Sequence, residues 1–143
     1  MTAAFVPPDA WAETAGQLRQ SASVTLDATG SGTVMFTPNN ANQRWVVTRI
    51  VITTNQAATA TVVPYCTPAL NSNDITTMSQ GNQIGTSWAG NNDQFTGAQD
   101  VGPCDNLSVI FYPPPGSSPA QIAALHGVTA TAVVTGTRYT RRA

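Results

Sequence analysis

The sequence predicts an all-β protein: an antiparallel β-sandwich, with jelly-roll topology open to it, preceded by an extended N-terminal arm and interrupted by one short helix before the last strand. Three observations carry this reading. Runs of alternating polar and apolar residues rich in Val, Ile and Thr recur from Ser21 onward. Gly, Asn and Pro clusters separate those runs, as turns between short strands require. Only one segment, 118–127, carries helix start and stop signals together. At 143 residues the chain has the length of one domain with one core.

Residues 1–20 form the expected arm and residues 21–143 the sandwich. In the arm, Phe5-Val6-Pro7-Pro8 is extended, and Asp9 can cap one or two loose helical turns in which Glu13 favours the helix dipole and Gly16 disfavours the helix. Phe5, Val6, Trp11 and Leu18 are too sparse to make a core and need another surface to cover them. Ser23 to Asp27 and Thr33 to Thr37 alternate about the turn Thr29-Gly30-Ser31-Gly32, which predicts a hairpin. The longest β run, Gln43 to Thr54, is apolar on both faces and belongs in the middle of a sheet. Thr59 to Cys66 reads as the next strand, with Pro64 at an edge or bulge because it has no N–H for a ladder.

Residues 67–102 are rich in Asn, Gly, Ser and Gln and show weak strands only near 83–88 and 94–96. Strand character returns at Asn106 to Tyr112 and stops at Pro113-Pro114-Pro115-Gly116. Ser118 then serves as N-cap, Pro119 as the first helical residue, Gln121 as the capping-box partner and Gly127 as the stop. Val128 to Tyr139 is the closing strand.

Composition narrows the functional classes. Charged residues make up only 9% of the chain and Lys is absent, against roughly a quarter charged in an average domain. The surface must therefore meet partners through neutral hydrogen-bonding groups. No apolar run approaches the roughly 20 residues that span a bilayer, and Met1 to Pro8 lacks the basic start and apolar stretch of a secretory signal, so a cytoplasmic product without a membrane partner is expected. Arg138, Arg141 and Arg142 have no flanking aromatic cluster, which argues for a salt bridge to a neighbouring subunit over nucleic acid.

No reaction is legible. A triad or a zinc site would have to use His126, the one histidine, which the pattern places at the C-terminal end of the helix. Asp93, Asp100 and Asp105 lie in or beside loops without a calcium-loop pattern, and Glu13 is the one Glu available to a paired-carboxylate mechanism. The expectation is a protein that is not an enzyme and carries no metal or cofactor. Cys66 and Cys104 have two readings: a disulfide closing a loop worth about 4 kcal/mol, or two buried thiols as in a reducing compartment. Trp88 in Gly85 to Asn92 is either a stacking platform for a glycan or an aromatic buried under loops. The sequon Asn106-Leu107-Ser108 falls at a strand start and is discounted.

The strand Gln43-Arg44-Trp45-Val46-Val47-Thr48-Arg49-Ile50-Val51-Ile52-Thr53-Thr54, the run ending Val63-Pro64-Tyr65, the strand Leu107 to Tyr112 and the closing Val133 to Tyr139 together resemble small β-sandwich virion proteins of tailed phages infecting actinobacteria. The helix Pro119 to His126 departs from the direct hairpin usual there. The resemblance implies a capsid decoration or minor capsid protein on the virion exterior, bound to the major capsid protein as a homo-oligomer, with a trimer favoured. Phe5, Val6, Pro7, Pro8, Trp11 and Leu18 would be its anchors. A tail or tail-tip subunit, and a carbohydrate or host-surface binding module, are the alternatives.

Overall fold

The computed structural model describes residues 13–38, 41–57, 59–71, 75–77, 82–83, 92–103 and 105–141. Among these residues nine strands and one helix follow in order: β1 (Glu13–Thr25), β2 (Gly32–Phe36), β3 (Gln43–Thr54), β4 (Tyr65–Asn71), β5 (Ile75–Thr77), β6 (Asn82–Gln83), β7 (Asn92–Val101), β8 (Asn106–Tyr112), α1 (Pro119–Leu125) and β9 (Thr129–Arg141). The strands form two antiparallel sheets. The first has the order β1-β9-β3-β7 and the second β2-β8-β4-β5, with β6 also paired to β4. This interleaving is that of a jelly roll, whose fifth strand corresponds to β5 and β6 together.

Both segments pair with β4. Asn71 to Ala69 pair with β5, and Tyr65 and Cys66 pair with β6, while Thr67 and Pro68 between them have no described partner on that side. On its other side β4 pairs with β8 along its whole length.

β3 lies between β9 and β7, in the interior position expected of it. Its buried residues are Trp45 and Val47, then Ile50, Ile52 and Thr54. Simple alternation would put the first two and the next two on opposite faces. A bulge at Thr48, seen as a register shift between Val47 and Arg49 against both neighbours, moves the phase by one residue and returns the second set to the core. Opposite the bulge stands Gly136, where the strands come so close that an added Cβ would collide with the Val46 carbonyl oxygen and lie 3.0 Å from the Thr48 nitrogen.

Three expectations are corrected. Residues 13–20 are not helical turns of an arm but the first eight residues of β1, paired with β9 from Glu13 opposite Arg141 onward. β1 and β2 are not a hairpin: the turn at Asp27 to Ser31 forms, but it carries the chain from one sheet to the other, β1 pairing with β9 and β2 with β8. The fourth strand occupies Tyr65–Asn71 and not Thr59 to Cys66, and the polar middle contains the ten-residue β7.

That turn is held by one carboxylate. Asp27 accepts hydrogen bonds from the Thr29 hydroxyl (2.6 Å), the Thr29 amide (2.8 Å) and the Ser31 amide (3.2 Å). These bonds, the hydroxyl foremost, favour the ionised form and lower the Asp27 pKa from its ordinary 3.8. The folded-state value lies below the unfolded one, so the contribution is in place above pH 3.8 and is lost as pH falls through the lowered pKa. The expected result is that the stability deficit of Asp27→Asn, measured by urea unfolding near neutrality, shrinks toward zero as the pH is taken below that range.

Helix α1 is built as its local residues specify. Ser118 Oγ accepts from the Gln121 amide at 3.2 Å, Gln121 Oε1 accepts from the Ser118 amide at 2.8 Å, and Pro119 opens the helix. His126 is the C-cap, and Gly127, at φ +87°, turns the chain into β9. The helix closes one end of the sandwich through Leu125, which is fully buried in the core with Leu26, Phe111 and Ala130.

Candidate interaction surface

The two sheets differ in charge. β2, β4, β5, β6 and β8 contain no charged residue, whereas Arg19, Arg44, Arg49, Arg138 and Arg141 all lie on β1, β3 and β9 of the first sheet. The cause is in the sequence of the strands, but only the topology gathers the neutral ones into a single sheet.

On the second sheet Val34 and Phe36, Leu107, Val109 and Phe111, and Cys66 turn inward and are buried. The alternate residues therefore form the outer face. The register sets Thr33 and Met35 of β2 beside Ile110 and Ser108 of β8, and Thr67 and Tyr65 of β4 beside Ile110 and Tyr112. Met35 is 60% exposed and Ile110 37%, the large apolar side chains most open to solvent among the described residues. The Tyr65 and Tyr112 rings meet at 5.9 Å with a 57° tilt, and Tyr112 shares a 3.0 Å hydrogen bond with Thr67 Oγ1. This face has aromatic and aliphatic area together with hydroxyl groups, and no ion to desolvate.

The first sheet presents a different exterior. The Arg44 guanidinium stacks 4.3 Å over the Tyr139 ring and lies 3.6 Å from Asp100. Ser23 and Thr131 join β1 to β9 through their hydroxyls at 2.8 Å. A cleft of about 120 Å³ lined by Ala41 to Arg44, Pro103 and Arg141 lies where β3 begins and β9 ends, well below the roughly 300 Å³ at which ligand pockets start.

The residues singled out in the sequence are placed as follows. Leu18, expected to anchor a partner, is instead fully buried in the protein's own core, facing Gly136 across β1 and β9. Phe5, Val6, Pro7, Pro8 and Trp11, Trp88 and Cys104 lie outside the described residues. Cys66 is a free thiol in the core opposite Phe111, and burial pushes its pKa far up. The expected result is that Cys66 resists thiol reagents in the folded protein at pH 8 and reacts at once in denaturant; rapid labelling of Cys66 without unfolding would contradict its burial. His126 is exposed at the helix end, and Arg141 donates its amide to the Asn42 carbonyl at 2.7 Å. Among the described residues no group of three or more His, Cys, Asp or Glu could hold a metal ion, and no helix is long and apolar enough to cross a membrane.

Met35 and Ile110 were not legible as surface residues. The alternation Val34-Met35-Phe36 shows that Met35 faces away from its neighbours, yet only the packing of the second sheet on the first tells which side is outside.

No family model and no curated protein sequence matches the chain. Among solved structures, one of the Gx strain of infectious bursal disease virus is 12% identical, covering 94% of this chain and 35% of that one at a TM-score of 0.32. One of the Gt strain is 15% identical, covering 94% and 37% at 0.32. T=1 particles derived from infectious bursal virus give 13% identity, 85% and 39% coverage and 0.30. The chain thus spans little more than a third of the length of the proteins it is similar to.

Proposed function

We propose that this chain is a structural protein of a virion, and more specifically a decoration or minor capsid protein of a tailed phage that binds the assembled shell of major capsid protein and stabilises it. The observation that carries the reading is the second sheet: five strands without a charge, with Met35 and Ile110 exposed on their outer face. Such a face gains by burying apolar area against protein and does not have to strip water from ions. The jelly-roll order is in keeping with this, as capsid and lectin domains share it, although a fold does not by itself assign a role. The segment before Glu13, with Phe5, Val6, Pro7, Pro8 and Trp11 and the single charge of Asp9, adds a second, mainly apolar contact.

The test is cosedimentation with assembled shells of the major capsid protein. The full chain is expected to pellet with the shells. Met35→Glu combined with Ile110→Glu places two charges on an exposed face and should abolish pelleting while the thermal melt is retained. A chain beginning at Glu13 should bind more weakly. Undiminished binding by the Met35/Ile110 double variant would reject this face as the contact, and failure of the full chain to bind would reject the function.

A further inference from the structure

We propose that two copies of this chain pair through the outer edges of β1, which no described strand covers, antiparallel and centred on Gly16, joining their first sheets into one continuous eight-stranded sheet. The inference rests on the edge geometry and not on the shell-binding reading.

Every sandwich has edges, and three of the four here are blunted. β2 has five residues, and the described strands on the opposite edge of its sheet, β5 and β6, have three and two. β7 is interrupted twice in its register with β3 and carries Asp93 and Asp100. These are devices that stop strands from adding to a sheet. β1 is neither short nor interrupted: it runs for 13 residues without a register shift against β9, contains no Pro, is exposed at Thr14, Ala15, Gly16, Gln17 and Arg19, and its two charges, Glu13 and Arg19, are of opposite sign.

The hydrogen-bonding phase of that edge follows from one bond. The Leu26 amide donates to the Val128 carbonyl at 2.8 Å, in line with the register that sets Val24 opposite Ala130. Alternation then directs the amides and carbonyls of the even residues of β1 toward β9 and those of Ala15, Gln17, Arg19, Ser21 and Ser23 toward the open edge. An antiparallel copy can pair only odd with odd there.

Charge selects the register. β1 has two charged residues, Glu13 and Arg19. Centring the pair on Gly16 sets Glu13 of each copy opposite Arg19 of the other, with Ala15 opposite Gln17. Centring it on Arg19 would oppose like charges. The two-fold closes on itself, so the product is a dimer, where the resemblance led to the expectation of a trimer.

Gly16 supplies the test. An added Cβ there meets nothing nearer than the Arg138 carbonyl oxygen at 3.9 Å, so cysteine is tolerated. Across the proposed axis Gly16 faces its own copy in a non-hydrogen-bonded pair with Cα atoms about 4.5 Å apart, within disulfide reach. The experiment uses the full chain with Cys104→Ser. Gly16→Cys should form a covalent dimer under mild oxidation, whereas Ser23→Cys, off the axis, should not. The parent should sediment as a dimer, Gln17→Pro as a folded monomer, and Arg19→Glu should dimerise about tenfold more weakly, restored by adding Glu13→Arg. A monomeric or trimeric parent, equal cross-linking at residues 16 and 23, or a Gln17→Pro dimer would each overturn the proposal.

Discussion

Replacing Gly136 by Ala is expected to destabilise the protein by about 3 kcal/mol or more, a fall in Tm of about 10 °C. The new methyl group has nowhere to go, because the atom it meets is the Val46 carbonyl oxygen, held in the backbone of the central strand. A side chain could rotate aside; this carbonyl cannot without opening the β3–β9 ladder. The close approach coincides with the bulge at Thr48, and this yields a coupled prediction. Deleting Thr48 restores simple alternation, with Trp45, Val47, Ile50 and Ile52 still on one face, so the deletion itself should be tolerated. In that background the cost of Gly136→Ala should fall to about half or less, a non-additivity that denaturant unfolding of the four variants would measure. Additive costs would show that bulge and glycine are unrelated.

Removing residues 1–20 is expected to unfold the protein. The chain from Ser21 would lose eight of the thirteen β1–β9 pairs and the fully buried Leu18. Burial of one Leu is worth about 2 kcal/mol and its cavity adds more, and β9 would become a naked edge. The sum approaches the roughly 5–15 kcal/mol that a domain has in total. A chain beginning at Glu13 keeps every described strand, all thirteen β1–β9 pairs and Leu18, and is expected to fold cooperatively. Circular dichroism melts of the two truncations separate these cases, and a cooperative melt of the shorter one at parental temperature would contradict the role given to β1.

The contrast between α1 and β1 explains what could be read in advance. The cap, Pro119, Gln121 and Gly127 of α1 act within ten residues of each other, so their spacing alone specifies the helix. β8 and β3 were legible because their β-branched and aromatic residues are dense enough to demand burial. β1, with Leu18 and Val24 as its large apolar residues among Thr, Ala, Gly, Gln and Ser, has little strand preference of its own. It is a strand because thirteen residues of β9 present a ladder to it. The same holds for the turn at Asp27: its side-chain bonds reverse the chain, but nothing local says in which sheet the next strand will find its partner.

By itself the sequence determined an ion-poor, all-β chain with a central Trp45 to Ile52 strand and a capped helix before the last strand, because those properties reside in composition and in contacts a few residues apart. Only the tertiary structure decided that the uncharged strands share one sheet, that Met35 and Ile110 lie on its outside, that Leu18 is core and that β1 is the outermost described strand of its sheet. Those are outcomes of pairing between residues as many as 128 positions apart, such as Glu13 and Arg141. Pairing at that range is selected by the packing of the whole, to which each short segment contributes only a fraction.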